Sequence, residues 1–319
     1  MNKNICVIGS GRWGLNHIRS LYELKALGGV VDKGSNNFEF ISNNYPGCSL
    51  FNVLKDDIVK EFDGFIIATE PSSHFELATK VILGKKPVLV EKPLTLDYDS
   101  SKALCDLARE MGVNLMVGHV LLFHPAFRKM KKLIDNGKIG KIQYIYSNRL
   151  NMGTFRKNEN VFWSFAPHDI ALFNYFFEEK PKCIKSDGID ILQEGIHDTS
   201  ITTFKYKGKK MGHIFVSWLH PFKEHRFVII GSDGMLHLED SSSTSPLLFY
   251  DNKARFIGRV PSPSKGSVIQ IQYDSEEPLK NELKYFISNL GTDKVKISSG
   301  EEGLEVVRIL EEVSEKFTS

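Results

Sequence analysis

Short apolar runs alternate with amphipathic stretches along the first 118 residues of the chain. The runs are bounded by glycine, proline or charged residues, which is typical of strands buried on both faces. They are Ile5–Ile8, Gly64–Ala68, Pro87–Glu91 and Val113–Val117. Between them, apolar residues recur at helical spacing, as at Leu77/Ala78 and Val81/Ile82. This alternation predicts a doubly wound parallel sheet, so we expect an α/β domain over residues 1–118.

The pattern changes after residue 118. One more amphipathic helix is predicted to end at Asn136-Gly137, and turn signals such as Lys207–Lys209 then separate long strand-like runs. The predicted strands are Ile142–Leu150, Thr199–Tyr206, Met211–Leu219, Arg226–Ile230, Gly234–Leu238 and Val268–Tyr273. Strands joined by short turns pair antiparallel, so residues 119–319 are predicted to form an α+β domain with an open, mostly antiparallel sheet. Two polar segments, Ser241–Ser245 and Pro261–Gly266, are predicted to be surface loops.

Composition excludes several classes of protein. Of the 319 residues, 41% are hydrophobic and 25% charged, as in a soluble globular protein. The net charge of +2 lacks the basic excess of a dedicated nucleic-acid binder. No run approaches the roughly 20 apolar residues of a membrane helix, and a strand begins at Ile5, so neither a membrane span nor a signal peptide is expected. The four cysteines form no close pair and the histidines show no ligand spacing, which predicts no metal site and a cytoplasmic location.

A glycine-rich motif follows the first strand and opens the first predicted helix. In such a motif, Gly9 permits a tight turn, Gly11 lets the backbone approach a pyrophosphate, and Gly14 lets the helix pack closely on the strand. The helix N-terminus then favours the anionic diphosphate. Asp32 ends the next apolar run at the spacing expected of a dinucleotide-binding Rossmann domain. The cofactor residues predicted from this motif are Gly9, Ser10, Gly11, Arg12, Trp13, Gly14 and Asp32.

Asp32 bears on the choice of cofactor. Its carboxylate would accept hydrogen bonds from a ribose 2′-hydroxyl and would repel a 2′-phosphate, so NAD is favoured over NADP. Lys33 beside it would soften this discrimination if its ammonium group faced the ribose, whereas a solvated turn lysine would not.

Three further stretches carry a family resemblance. They are Ala68–His74, Glu91-Lys92-Pro93, and Gly231–Gly234 preceded by Ser217-Trp218. With the glycine motif, they resemble the glucose–fructose oxidoreductase and inositol dehydrogenase (Gfo/Idh/MocA) family over essentially the whole chain. The resemblance implies a Rossmann domain followed by an open sheet whose face covers a sugar-binding pocket. It also implies a homodimer or homotetramer formed through that sheet.

Several polar residues lie at or just past the carboxyl ends of the predicted parallel strands, where doubly wound sheets bind their ligands. The further cofactor residues expected there are Thr69, Pro71, His74, Glu91, Lys92 and His119. Lys92 is also predicted to be catalytic, since a lysine at the nicotinamide can hydrogen-bond a reacting hydroxyl and stabilise alkoxide charge. The alternative is an ordinary surface lysine before a proline.

The second catalytic position is predicted at His168. The resemblance implies an aspartate four residues before this histidine on one helix face, and Ser164 occupies that position. A serine can orient a substrate hydroxyl but cannot stabilise imidazolium charge, and Asp169 lies about 100° away round a helix. His168 would remove the hydroxyl proton while Lys92 polarises the developing carbonyl, and the reverse direction is equally allowed. A histidine that merely satisfies the core is the alternative.

The segments around Leu122, Ser147–Asn151 and Asn160–Ser164 resemble the branch that oxidises the 3-hydroxyl of UDP-N-acetylglucosamine or a related UDP-sugar. A nucleotide diphosphate favours guanidinium groups, and an aromatic ring could stack on a base or sugar. The expected substrate residues are Lys92, Arg149, Arg156, Trp163, Ser164 and His168. For the arginines, the alternative is that they form ordinary ion pairs on the surface. For the whole protein, one alternative is a dehydrogenase of a free polyol such as inositol or of a UDP-sugar acid. The other is a dinucleotide-binding regulator without turnover.

Overall fold

The computed structural model describes residues 3–241, 244, 246–291 and 294–317. The N-terminal strands are β1 (Ile5–Ile8), β2 (Leu27–Val31), β3 (Ser49–Phe51), β4 (Gly64–Ile67), β5 (Val88–Glu91) and β6 (Leu115–Gly118). They form one sheet of order β3-β2-β1-β4-β5-β6, in which every neighbouring pair is parallel. Strands β1, β4, β5 and β6 are buried along their whole length, as their unbroken apolar runs predicted. The predicted parallel α/β fold is confirmed.

The helices between these strands are α1 (Arg12–Glu23), α2 (Phe38–Asn44), α3 (Asp56–Glu61), α4 (His74–Leu83) and α5 (Tyr98–Met111). Two short 3₁₀ helices, Pro71–Ser73 and Val120–Phe123, follow the ends of β4 and β6. Helix α5 shows how local sequence sets the boundaries. Asp97 caps its first turn by accepting from the Ser100 N–H at 2.7 Å, and Gly112 ends it with a left-handed φ of 66°.

One compact unit comprises Met1–His124 together with Glu276–Arg308. Its later elements are α9 (Pro278–Ser288) and the part of α10 (Gly300–Phe317) that ends at Arg308. Lys280 on α9 pairs with Glu23 on α1 at 2.5 Å, and Ser298 Oγ donates to the Val117 carbonyl at 2.5 Å. A single boundary after residue 118 therefore omits this return of the chain, because helical spacing in the tail does not reveal which sheet the helix covers.

The other compact unit comprises Pro125–Ser275 and Ile309–Ser319. Its strands are β7 (Ile142–Leu150), β8 (Cys183–Ile189), β9 (Thr199–Lys205), β10 (Met211–Ser217), β11 (Glu224–Gly231), β12 (Met235–Glu239), β13 (Leu247–Tyr250), β14 (Lys253–Ile257), β15 (Val260–Ser264) and β16 (Val268–Ile271). Eight of them form a sheet of order β16-β13-β12-β11-β7-β10-β9-β8, in which only the β7–β10 pair is parallel. The predicted open, mostly antiparallel sheet is confirmed.

The helices of this unit cover one face of the sheet. They are α6 (Pro125–Asp135), α7 (Val161–Phe165) and α8 (Pro167–Phe177). Phe173 on α8 packs edge-to-face on Phe204 of β9 and Phe227 of β11, with ring centroids 5.6 and 5.9 Å apart. Because these rings are buried, they hold α8 firmly against the centre of the sheet.

One loop prediction is wrong. The sequence predicts a loop over Pro261–Gly266, but β15 covers Val260–Ser264 and pairs with β14 in a two-stranded hairpin. Its prolines are tolerated because β15 pairs on one side only, so the missing N–H groups break no second ladder. The other predicted loop, Ser241–Ser245, lies largely outside the described residues, which include only Ser241 and Thr244 of it.

Over the described part of the chain, no helix combines the length and the apolar character that crossing a bilayer requires. In the same residues, no group of three or more histidine, cysteine, aspartate or glutamate side chains is arranged to hold a metal ion.

Candidate functional site

The glycine motif forms a tight turn between β1 and α1. Gly9 has a φ of 96°, which favours glycine. A Cβ on Gly14 would lie 2.0 Å from the Gly9 carbonyl oxygen, so only glycine permits this approach of helix to strand. A Cβ on Gly11, by contrast, would meet no atom within 4 Å, which leaves open space over the backbone. The turn therefore fits the close approach of a dinucleotide pyrophosphate.

The start of α1 suits an anion. No side chain caps the helix at Gly11, and no acidic residue lies in its first turn. Exposed Arg12 and Trp13, 41% exposed, are the first two helical residues. Unpaired N–H groups and the helix dipole at such an end favour a phosphate.

Asp32 follows β2 and is bound by its neighbours. Its Oδ2 accepts from both the N–H and the hydroxyl of Ser10 at 2.6 Å, and its Oδ1 accepts from the Gly34 N–H at 2.8 Å. Partial burial opposes ionisation, but the hydrogen bonds from Ser10, Gly34 and Ser35 outweigh it and lower the pKa of Asp32. The carboxylate is therefore ionised beside the glycine turn, as a group that accepts from ribose hydroxyls must be.

Glu91, at the end of β5, joins the Glu-Lys-Pro element to α1. Its buried carboxylate accepts from Trp13 Nε1, contacts His17 Nε2 at 2.7 Å, and accepts from the Lys92 N–H at 3.2 Å. Burial would raise the pKa of Glu91, but the hydrogen bond and charge of His17, with Trp13 and Lys92, lower it overall. Glu91 therefore fixes the main chain at Lys92, whose side chain is half-buried at the carboxyl edge of the sheet.

His74 has a different place from the one expected of a cofactor contact. It is fully buried, and its ring nitrogens face the Pro93 carbonyl at 2.9 Å and the Thr69 carbonyl at 3.1 Å. Burial lowers its pKa despite these carbonyls. The ring thus ties together the segments that follow β4 and β5.

The remaining residues expected at this edge are also located. Thr69 Oγ1 pairs with Ser73 Oγ at 2.7 Å, and Pro71 opens the short helix between them. His119 is 1% exposed, and burial lowers its pKa to about 4, so the ring is neutral near pH 7. His119 is therefore a buried, uncharged ring directly after the carboxyl end of β6.

In the second unit, α7 and α8 carry the other candidate groups. Asn160 caps α7 by accepting from the N–H groups of Phe162 and Trp163 at 3.0 and 3.1 Å. Trp163 is further fixed by its indole N–H, which donates to Ser314 Oγ at 2.8 Å. Ser164 and His168 are both half-buried and stand four residues apart, across the single turn residue that separates the two helices.

Arg149 and Asp169 form a buried ion pair. The Arg149 guanidinium donates to both carboxylate oxygens of Asp169, at 2.7 and 3.0 Å, and Ser147 Oγ donates to the same carboxylate at 2.6 Å. The Asp169 side chain is 0% exposed and that of Arg149 15%. Arg149, expected to bind substrate, is thus committed to α8, because its strand position faces the helix rather than solvent. Arg156 is exposed and pairs with Glu159 at 3.4 Å.

Sequence reasoning missed two positions. His17 gives no signal beyond its place on α1, three residues after Gly14, and Ser147 looks like any strand serine. Both are recognised only through partners far along the chain, since Glu91 lies 74 positions after His17 and Asp169 lies 22 positions after Ser147.

Comparison with known proteins covers both units. A family model described as "Oxidoreductase family, NAD-binding Rossmann fold" matches residues 3–119, and one described as "GFO/IDH/MocA C-terminal domain" matches residues 127–237. The scyllo-inositol 2-dehydrogenase (NAD(+)) of Bacillus subtilis is 27% identical over 199 residues, which are 59% of this chain and 57% of that protein. The UDP-N-acetylglucosamine 3-dehydrogenase of Acidithiobacillus ferrooxidans is 27% identical over 184 residues, 57% of each chain.

A crystal structure of the Acidithiobacillus enzyme superposes with a TM-score of 0.86 at 21% identity, covering 99% of this chain and 98% of that one. The aligned sequence thus spans little more than half of each relative, whereas the fold is shared throughout. The chain has an NAD-binding Rossmann domain and belongs to the Gfo/Idh/MocA family of oxidoreductases.

Proposed function

We propose that this oxidoreductase uses NAD to oxidise a ring hydroxyl of a sugar, with the 3-hydroxyl of a UDP-N-acetylglucosamine-type sugar as the favoured target. The observation that carries the proposal is the Glu91 contact set. It fixes Lys92 at the strand edge and, through Trp13, ties that edge to the helix that opens the glycine motif. A lysine held at a dinucleotide site is suited to a reacting hydroxyl.

Three groups of the first unit would hold the cofactor. The open backbone at Gly11 and the uncapped start of α1 would take the diphosphate, and ionised Asp32 would accept from the ribose hydroxyls. A 2′-phosphate would meet the negative charge of Asp32, which favours NAD over NADP. When bound, NAD supplies the hydride acceptor at the nicotinamide C4.

Lys92 and His168 would then manage charge and protons. His168 would take the proton of the sugar hydroxyl, and the Lys92 ammonium group would stabilise the oxygen as it becomes a carbonyl, while bound NAD would accept the hydride from the carbon that bears this hydroxyl. Ser164 would orient the hydroxyl without stabilising the imidazolium.

The substrate assignment draws on resemblance and on the second unit. Arg156 offers an exposed guanidinium, and Phe155, 41% exposed, offers a ring next to it for a base or sugar. Its ring contacts Trp218 edge-to-face at 6.2 Å, which would support it in a stacking role. Inositol is the second candidate, because one relative is named as an inositol dehydrogenase and both relatives are equally distant in sequence.

A substrate panel tests the proposal. The full-length protein is incubated with NAD and, separately, UDP-N-acetylglucosamine, its uronate, scyllo-inositol and glucose, while absorbance of the reduced nicotinamide is followed. A coupled aminotransferase removes the keto product if equilibrium opposes it. Turnover with a UDP-sugar supports the proposal. Turnover with inositol alone would replace the UDP-sugar by inositol as the proposed substrate. NAD binding without any turnover would favour a regulator.

We also propose self-association through the face of the large sheet opposite α8. Ile201 and Met211 on this face are 48% and 36% exposed, and the half-buried rings of Tyr146 and His213 stack beside them at 5.3 Å. Ile201→Glu is expected to reduce the molar mass measured by light scattering, whereas Val53→Glu in the first unit, the matched control, is expected to leave it unchanged.

The four free cysteines accord with a cytoplasmic location.

A further inference from the structure

Glu282 is a buried carboxyl group that the proposed chemistry does not use. It lies on the inner face of α9, next to Leu283 and one turn from Leu279 and Phe286, and is 0% exposed. Both of its carboxylate oxygens are buried without a hydrogen-bond partner among the described residues. Since buried polar atoms nearly always have a partner, such a group calls for an explanation.

Two polar residues on the facing helix share this property. His17 and Ser20 are both 0% exposed, and His17 Nδ1 and Ser20 Oγ also lack partners in the described structure. With Glu23 they form a stripe at a spacing of three residues along α1. Glu23 pairs with Lys280 of α9, so the stripe faces the helix that carries Glu282.

The other nitrogen of His17 leads into the cofactor site. His17 Nε2 contacts Glu91, whose carboxylate also holds Trp13 and the main chain at Lys92. Two buried carboxyl groups in electrostatic reach of each other do not both ionise readily. Burial and the charge of Glu91 raise the pKa of Glu282 well above its ordinary value, whereas the pKa of Glu91 is lowered.

We propose that Glu282 is a positioning residue that stays a neutral carboxylic acid and orients His17, and through it Glu91, next to the dinucleotide motif. In the structure these atoms do not hydrogen-bond one another. A protonated carboxyl has one O–H donor and accepting oxygens, so after a change of side-chain rotamer it would pair with an imidazole nitrogen or a serine hydroxyl. A carboxylate offers no donor. The inference rests on the dinucleotide site of the proposed function, but it concerns a residue outside that site.

Other charges near this interface are accounted for. The titratable or charged groups on the surrounding elements are Arg12, His17, Arg19, Tyr22 and Glu23 on α1, Glu91 at the end of β5, Lys92 after it, and His119 and His124 flanking the helix Val120–Phe123. On α9 itself, Lys284 pairs with Glu276 at 3.5 Å, and the Tyr285 hydroxyl accepts from the N–H groups of Lys296 and Ile297 at 3.0 and 3.2 Å. On α9 and just before it, Glu277 and Lys280 lie at the rim, where Glu277 pairs with Arg19 at 3.1 Å and is 48% exposed. Glu277 is thus an exposed carboxyl group close to Glu282 in sequence, whereas Glu282 is fully buried.

The first test is the pH dependence of thermal stability in the full-length protein. Glu282→Gln keeps a neutral polar side chain, and Glu277→Gln is the matched exposed control. Because the folded pKa of Glu282 is raised, the native state loses stability as pH rises above the ordinary value of about 4.5, and Glu282→Gln removes that loss. We expect the Tm of the wild type to fall relative to that of Glu282→Gln as the pH is raised above about 4.5. A Tm difference that does not change with pH overturns the proposal.

The second test is NAD affinity, measured by calorimetry at neutral pH. Glu282→Gln should bind NAD within about twofold of the wild type, whereas Glu282→Leu should weaken binding about tenfold by leaving His17 and Ser20 with an apolar neighbour. Equal affinity in Glu282→Leu overturns the positioning role. If Glu282→Leu does not fold, the pH profile of Glu282→Gln decides. A wild type that does not bind NAD refutes the cofactor site, and the pH profile still tests the protonation of Glu282.

Discussion

The buried pair of Arg149 and Asp169 gives the most quantitative prediction. Asp169 directly follows His168 in the first turn of α8, and its side chain is wholly buried against β7. Three hydrogen bonds of 2.6 to 3.0 Å reach it from Arg149 and Ser147. We therefore consider three variants: Arg149→Met, Asp169→Leu and the double variant.

The magnitudes follow from burial. Removing one partner leaves an uncompensated buried charge, which costs about 3–5 kcal/mol of unfolding free energy for each single variant. Replacing both by apolar side chains of similar size removes both charges and leaves only the Ser147 hydroxyl without its acceptor, which costs about 1–3 kcal/mol. The two single losses together thus exceed the loss in the double variant by at least about 3 kcal/mol.

Urea unfolding followed by fluorescence of Trp163 and Trp218, both in the second unit, measures these values. The exposed pair of Arg156 and Glu159 is the matched control, and its coupling should not exceed about 1 kcal/mol. The stabilising role of the buried Arg149–Asp169 ion pair would be refuted if each single variant lost less than about 1 kcal/mol of unfolding free energy. It would also be refuted if the double variant lost the sum of the two single losses. Arg149 would then again be a candidate for substrate binding.

Further predictions concern the cofactor site. Gly14→Ala should abolish NAD binding and lower the Tm, since its Cβ would lie 2.0 Å from the Gly9 oxygen; calorimetry and thermal melts check this. Gly11→Ala should keep the Tm and lose NAD affinity alone, because its Cβ fills only the open space for the pyrophosphate. Asp32→Ala should shift the ratio of NAD to NADP affinity toward NADP by about tenfold or more, measured by titration of both cofactors. Lys92→Met should lower kcat about 10²- to 10⁴-fold in steady-state assays, with NAD affinity kept.

Much of the fold follows from local patterns. Strand β7 has the predicted bounds, Ile142–Leu150, because isoleucine and tyrosine recur through its first half and favour a strand. Strand β8 was not predicted from the sequence. It is the edge strand of its sheet, and most of Cys183–Ile189 is exposed, so the segment needs no alternating apolar face. Strand β15 contains two prolines, which predict a turn from the sequence. Only the pairing with β14 shows that the segment is a strand.

The site was predictable where its residues act through the backbone. The glycines at positions 9, 11 and 14 carry conformational demands that the sequence states directly. Side-chain partners are another matter. Whether Arg149 reaches a substrate or a buried carboxylate depends on which way its strand faces, and whether Glu91 contacts a cofactor or His17 depends on the packing of α1. Periodicity alone decides neither.

The central claim is that a hydride passes from a sugar carbon to NAD in this protein. The most direct measurement uses UDP-N-acetylglucosamine carrying deuterium at C3, with mass spectrometry of the cofactor after turnover. We expect reduced cofactor that carries the deuterium, formed about 10²- to 10⁴-fold more slowly in Lys92→Met. Reduced cofactor without deuterium would place the oxidation at another carbon, and the absence of reduced cofactor with every sugar offered would contradict the claim.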